Sequence, residues 1–307
     1  MSYRRSLSFV ALAAVASIGL AACGDDGTSD SSSTTPSADS VCSTADTSGN
    51  DLLAEVCNNG TIVVSTDPKY PPQSSLNPET GEYEGFDIDV ATEIANRLGV
   101  KISWEEPSWN LITSGGWNGR FDMSVGSMTV TDERAKVLNF TPAYYFTPAS
   151  AAVNADNTTI TDTSTDLDGK KIGVCSGCTY EAFVNGTLNI PGYSFDFVID
   201  DASAVGYDTD TTAIQDLTLG DGTRLDAVIS ATPTLQGAID HGKPIKIVGD
   251  PLYYEPLAAA FDKSSEADSV PLADAVGEII NDMHKDGTLT DMSMKWYGED
   301  LTVSDQG

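Results

Sequence analysis

The sequence predicts an α/β fold with mostly parallel strands, and two observations predict it. Apolar strand-like runs alternate with segments of helical periodicity from Thr61 onward, and the same alternation starts again at Lys171. Thr61–Ser65 opens the body as a strand. Phe86, Val90, Ile94 and Leu98 then recur every four residues, joined by Ala91 and Ala95, with Asp87, Asp89 and Glu93 expected outward and Gly99 as a stop. That spacing predicts an amphipathic helix. Residues 101–105 and 121–125 read as further strands, and Thr131-Asp132-Glu133 reads as a helix start, with a cap and two acids in its first turn. In the second half, 171–174, 195–200, 225–229 and 245–248 are expected strands, with helices near Thr179, Thr211 and Pro233. A last helix carries Leu272, Val276, Ile279, Ile280 and Met283 on one stripe.

The N-terminus has the proportions of an export signal. Tyr3-Arg4-Arg5 supplies a basic segment, followed by an uncharged run over 7–22 that is too short for the roughly 20 residues of a membrane-spanning helix. It ends at Leu20-Ala21-Ala22-Cys23, which resembles a bacterial lipobox. Residues 1–22 are thus expected to be a signal peptide and Cys23 a lipidation site, so that acyl chains hold the protein to the outer face of the bacterial cell membrane, in the periplasm or at the cell surface. Residues 23–41 are Gly, Asp, Ser, Thr and Pro with little to bury and read as a tether. The ~265 residues that follow suffice for two lobes or for one large domain, a choice composition leaves open. Net charge is −30, which disfavours nucleic acid as a partner.

With Cys23 assigned to lipid, four cysteines remain, an even number that suggests disulfides in an exported protein. The preferred pairing is Cys42 with Cys57 and Cys175 with Cys178. The spacing Cys175-Ser176-Gly177-Cys178 also suits a redox pair or half a zinc site, but no second pair of ligand spacing accompanies it. His241 and His284 stand alone and are expected at the surface near helix ends. No metal and no cofactor is expected.

Several stretches carry a more specific signal: Thr66-Asp67-Pro68-Lys69-Tyr70-Pro71-Pro72, Gly85-Phe86-Asp87-Ile88-Asp89-Val90, Gly126-Ser127-Met128-Thr129-Val130-Thr131-Asp132-Glu133-Arg134-Ala135, Phe140-Thr141-Pro142-Ala143-Tyr144-Tyr145, Leu167-Asp168-Gly169-Lys170-Lys171-Ile172-Gly173-Val174 and Trp296-Tyr297-Gly298. In this order they resemble the family 3 extracellular solute-binding proteins, which serve polar amino acid importers. The resemblance implies two lobes around a cleft, joined by two crossover strands near 145–152 and 248–258. Lobe 1 would comprise 42–147 with 253–303, and lobe 2 would comprise 148–252. It further implies that hinge closure over a small polar carboxylate or amino acid presents the closed form to an ABC transporter permease.

Arg134 has the best physical claim on a ligand. In the first turn of a helix a cation opposes the dipole by roughly 0.3–1 kcal/mol, a cost that a bidentate bond to a ligand carboxylate would offset, and the resemblance assigns that role to the matching Arg. Glu133 offers the alternative partner. The resemblance also implies that Thr129 supplies a hydroxyl and Ser127 a small cleft-facing residue. Across the cleft, Gly177-Cys178-Thr179 resembles a Gly-Thr-Thr turn whose N–H groups and Thr hydroxyl hold the carboxylate; Cys178 departs from that pattern, and Thr179 is equally suited to a plain helix cap. Tyr70 and Trp109 match positions where rings sandwich the ligand, with Trp117 left between site and core. Asp67 is a candidate for a ligand ammonium and also an ordinary turn residue before Pro.

One departure stands out. Where the family usually ends a strand with an Asp that pairs with the α-ammonium, this chain reads Asp226-Ala227-Val228-Ile229-Ser230-Ala231. Either another acid, Asp208 or Asp210, takes its place, or the ligand lacks a free α-amino group. Two alternatives to transport are a sensory ligand-binding subunit and a dehydratase of the same fold; the latter needs an acid–base pair that the sequence does not display, and no enzymatic activity is expected. Nothing points to an obligate oligomer, and a monomer is expected.

Overall fold

In a computed structural model, residues 40–303 are described; the apolar run, Cys23 and the tether up to 39 lie outside them. The first half contributes α1 (Val41–Thr44), α2 (Leu52–Asn59), β1 (Thr61–Ser65), the short strands β2 (Lys69–Tyr70), β3 (Ser74–Leu76) and β4 (Tyr83–Glu84), α3 (Phe86–Leu98), β5 (Lys101–Glu105), α4 (Trp109–Thr113), β6 (Met123–Thr129) and the long strand β7 (Leu138–Asn154). The second half adds β8 (Lys171–Cys175), α5 (Thr179–Val184), β9 (Ser203–Tyr207), α6 (Asp210–Leu217), β10 (Ala227–Ala231), α7 (Thr232–Asp240), the long strand β11 (Ile245–Asp262), α8 (Val270–Lys285) and α9 (Thr288–Tyr297).

Eight strands form one curled sheet in the order β5-β1-β6-β11-β7-β10-β8-β9. β5, β1 and β6 run parallel, as do β10, β8 and β9. Between these triplets lie β7 and β11, antiparallel to each other and shared by both halves, with their register interrupted between Val248 and Tyr253. β6 joins the C-terminal part of β11, and β10 joins the later part of β7. The two crossovers the resemblance implied are thus continuous strands, longer than the segments expected for them.

Separate cores lie on the two sides of the shared strands. α3 buries Phe86, Val90, Ala91, Ile94, Ala95 and Leu98 against β1, β6 and the stripe of α8 formed by Leu272, Val276, Ile279, Ile280 and Met283. It ends where Gly99 turns left-handed (φ 85°) and donates its N–H to the Ala95 carbonyl. Beyond the crossovers, Ile172, Val174, Phe183, Ala227 and Ile229 belong to a second core. Cys42 is bonded to Cys57, tying α1 to α2, and Cys175 is bonded to Cys178 at the end of β8. Among the described residues no helix is long and apolar enough to cross a membrane.

Three expectations require correction. Residues 195–200 form no strand; Phe195 and Phe197 pack their rings on Tyr253 and Phe183, so the apolar alternation reflects ring packing, and β9 takes the ladder position beside β8. The helix expected at Thr131 is a single 3-10 turn, Arg134–Lys136: Thr131 caps it through the Arg134 N–H, but Leu138 is already paired with Asp262 in the long strand. Asp87, expected outward, is fully buried.

Candidate functional site

The parallel strands of both halves end at one cleft, the position in which open α/β sheets bind ligands. Its walls come from Thr66, Asp67 and Tyr70 after β1, Trp109 of α4, the end of β6, the Arg134 turn, the loop from Cys175 to Tyr180, and Asp208 to Asp210 after β9. Glu255 of β11 enters from the crossover. The cavity they line has a volume of about 60 Å3.

Arg134 is 7% exposed. Its Nη1 donates to the Thr129 carbonyl (2.9 Å) and its Nη2 to the Gly177 carbonyl (3.1 Å), so that the guanidinium spans the cleft. The guanidinium carbon lies 5.1 Å from the Trp109 ring centroid, and Trp109 Nε1 reaches the same Gly177 carbonyl at 3.4 Å. Burial lowers the Arg134 pKa to about 10 while Glu255 acts in the opposite sense, so the side chain remains a cation at neutral pH. The sequence attributed its cost to a helix dipole; a turn of three residues has little dipole, and the cost is desolvation instead.

Glu255 is the residue sequence reasoning missed. It is 2% exposed, and its Oε2 accepts from Thr129 Oγ1 (2.6 Å) on one side of the cleft and from Thr179 Oγ1 (2.7 Å) on the other. Burial raises its pKa, opposed by those hydroxyls and by Arg134. A signal was present: a single acid inside the apolar run Leu252-Tyr253-Tyr254-Glu255-Pro256-Leu257, in a stretch already read as a crossover. Asp210, one of two acids offered in place of Ala231, is buried. Its Oδ1 accepts from Ser230 Oγ at 2.6 Å, next to Ala231, and burial pushes its pKa up to about 6. Asp208 lines the cavity but is exposed.

The remaining candidates divide. Thr129, Thr179, Tyr70, Trp109, Asp67 and Cys178 all line the cavity, with the Tyr70 hydroxyl 3.4 Å from that of Tyr180. Asp67 also accepts from the Lys69 N–H (2.9 Å), the turn role, and burial raises its pKa. Trp117 is core: fully buried on Phe121, with Nε1 on the Ile112 carbonyl. Ser127 lines the cavity with left-handed backbone (φ 52°), yet its N–H donates to Tyr144 Oη (2.9 Å) and its hydroxyl to Asp87 Oδ2 (2.7 Å).

Asp87 is therefore a buried support beneath the cleft, holding Ser127 and the Tyr144 hydroxyl (2.8 Å), and burial raises its pKa to about 7. Its folded-state pKa lies above the ordinary value, so the stability it contributes is fully present below about pH 4 and is lost as pH rises through about 7. At about 1.4 kcal/mol per unit, the full change is at most about 4 kcal/mol. Asp87→Asn is expected to flatten the decline of melting temperature between pH 5 and pH 8 relative to the parent; equal slopes would exclude Asp87 as its source. Asp210 and Glu255 act alike in both proteins and cancel in the comparison.

The sequence profile of the bacterial extracellular solute-binding proteins, family 3, matches residues 62–299. The chain belongs to this family. Among its relatives is the L-cystine-binding protein TcyJ of Escherichia coli (strain K12), 31% identical over 252 residues, covering 82% of this chain and 88% of the relative. An ancestral arginine-binding protein bound to arginine superposes with a TM-score of 0.66 at 29% identity, covering 78% of this chain and 99% of the other. The ancestral amino acid-binding protein AncCDT-1, a precursor of cyclohexadienyl dehydratase, superposes with a TM-score of 0.67 at 29% identity, over 80% and 99% of the two chains. These relatives are amino-acid-binding proteins, and the two structures share their two-lobed fold with this chain.

Proposed function

We infer that this protein is the extracytoplasmic substrate-binding component of an ABC importer and captures a polar amino acid by closure of its two lobes, 42–147 with 253–303 and 148–252. The observation that carries this reading is the buried Arg134, whose guanidinium crosses a small cavity at the strand ends of a family 3 chain. Arg134 receives the ligand carboxylate, while Thr129 and Thr179, whose hydroxyls donate to Glu255, line the wall beside it. Tyr70 and Trp109 flank the apolar part of the ligand, and Asp210 takes the place left by Ala231. Ser127, Asp67 and Cys178 shape the wall. Cys23 anchors the chain by acylation and the protein acts as a monomer toward its permease; Cys23→Ser should release the protein from the membrane fraction.

The test is a thermal-shift screen of refolded mature protein against polar amino acids and the corresponding acids lacking the amino group. A ligand at a hundred times its Kd adds about 2.7 kcal/mol, several degrees here. Shifts with amino acids alone support the reading; shifts with the deaminated acids alone would revise the ligand class. One observation favours a second reading, a dehydratase: the cleft does hold two buried acids, Asp210 and Glu255, whose pKa values burial shifts upward. Aromatic product formed from a cyclohexadienyl acid would support it.

A further inference from the structure

Among the described residues, the charged groups lining the cleft are Arg134 as the one cation and Asp67, Asp208, Asp210 and Glu255 as acids. Asp208 is exposed and Asp67 is half-buried, which leaves two buried carboxylates facing one guanidinium. Neither Glu255 nor Asp210 has an ion-pair partner among the described residues. Glu255 is held by hydroxyls of Thr129 and Thr179, and Asp210 by the hydroxyl of Ser230. Hydroxyls orient a carboxylate without neutralising it, and an uncompensated charge in a closed cleft costs several kcal/mol. A ligand with one carboxylate and one ammonium would match Arg134 with one acid and leave the second acid bare. A ligand with one carboxylate and two cationic groups would satisfy all three.

Resting on the reading of the cleft as an amino acid site, we propose that Glu255 and Asp210 form a two-carboxylate subsite that selects an α-amino acid with a cationic side chain. Ala231 fits this arrangement, since an Asp there would add a further acid beside Asp210 and Ser230. Glu255 also links recognition to closure. Thr129 belongs to the first half, Thr179 to the second and Glu255 to a strand shared by both, so a cation seated on Glu255 draws on groups from both sides of the cleft.

The experiment is calorimetric titration of refolded full mature protein with L-arginine and L-lysine against L-citrulline and L-glutamine, citrulline being the uncharged near-isostere of arginine. Arginine or lysine is expected to bind at least about tenfold tighter than citrulline, and E255Q and D210N are each expected to lower that ratio. Equal or tighter binding of citrulline or glutamine would overturn the proposal and leave the amino acid reading standing; silence from every amino acid would overturn both. The ligand ratio is read on the unaltered chain, so the outcome does not depend on either variant folding.

Discussion

Arg134→Ala is expected to weaken amino acid binding by 2–5 kcal/mol, roughly 30-fold to several-thousand-fold. The magnitude follows from burial. An exposed Arg in an ion pair is worth under about 1 kcal/mol, whereas this guanidinium has been taken out of water and fixed by two carbonyls and the Trp109 face. It therefore meets an incoming carboxylate already oriented. Removing it also strips Glu255 of its opposing charge, so the variant places a carboxylate ligand beside an acid with no intervening cation. Arg134→Lys retains charge but loses the planar fork, and should recover only part of the affinity. Calorimetry on folded variants checks this; retained affinity in Arg134→Ala would remove the residue from the site.

The second large effect is expected at Gly85, through backbone rather than charge. Gly85 precedes α3 with φ 138°, and a Cβ there would lie 2.2 Å from the Gln73 carbonyl oxygen and 2.8 Å from the Ser74 nitrogen. The contact is close because the loop after Tyr70 caps the helix: the Pro72 and Gln73 carbonyls accept the N–H groups of Phe86 (3.2 Å) and Asp87 (2.9 Å). Gly85→Ala must therefore push that loop off the helix, carrying Tyr70 with it. Strain of about 1–3 kcal/mol adds to overpacking of about 1–3 kcal/mol, a fall in melting temperature on the order of 10 °C. Gly81→Ala is the control, with φ 73° and nothing within 4 Å of the added carbon. If both variants melt together, left-handed strain alone is at work and the close approach is unimportant.

Much of this fold is legible one residue at a time. The four-residue spacing of Phe86, Val90, Ile94 and Leu98 with Gly99 behind it leads to α3, because a helix needs only its own periodicity and a stop. The expectation for 195–200 failed because two Phe residues alternate equally well on a strand and in a coil packed on other rings. Asp87 failed for a related reason: its position near the helix start suits an exposed acid favoured by the dipole, and only Tyr144 and Ser127, arriving 57 and 40 residues later, turn the same side chain into a buried support.

The site divides in the same way. The family motifs selected Arg134, Thr129, Thr179, Tyr70 and Trp109, and all five line one cavity. The family, the two restarting α/β halves and the missing acid at Ala231 can be read from local order and composition. That Glu255 stands between Thr129 and Thr179, that Asp210 meets Ser230, and that Ser127 is tied to Asp87 follows from long-range packing. Those partners are separated by 126, 76, 20 and 40 residues. Which hydroxyl meets which carboxylate depends on how two long crossover strands bring the halves together, and no local pattern encodes that distance.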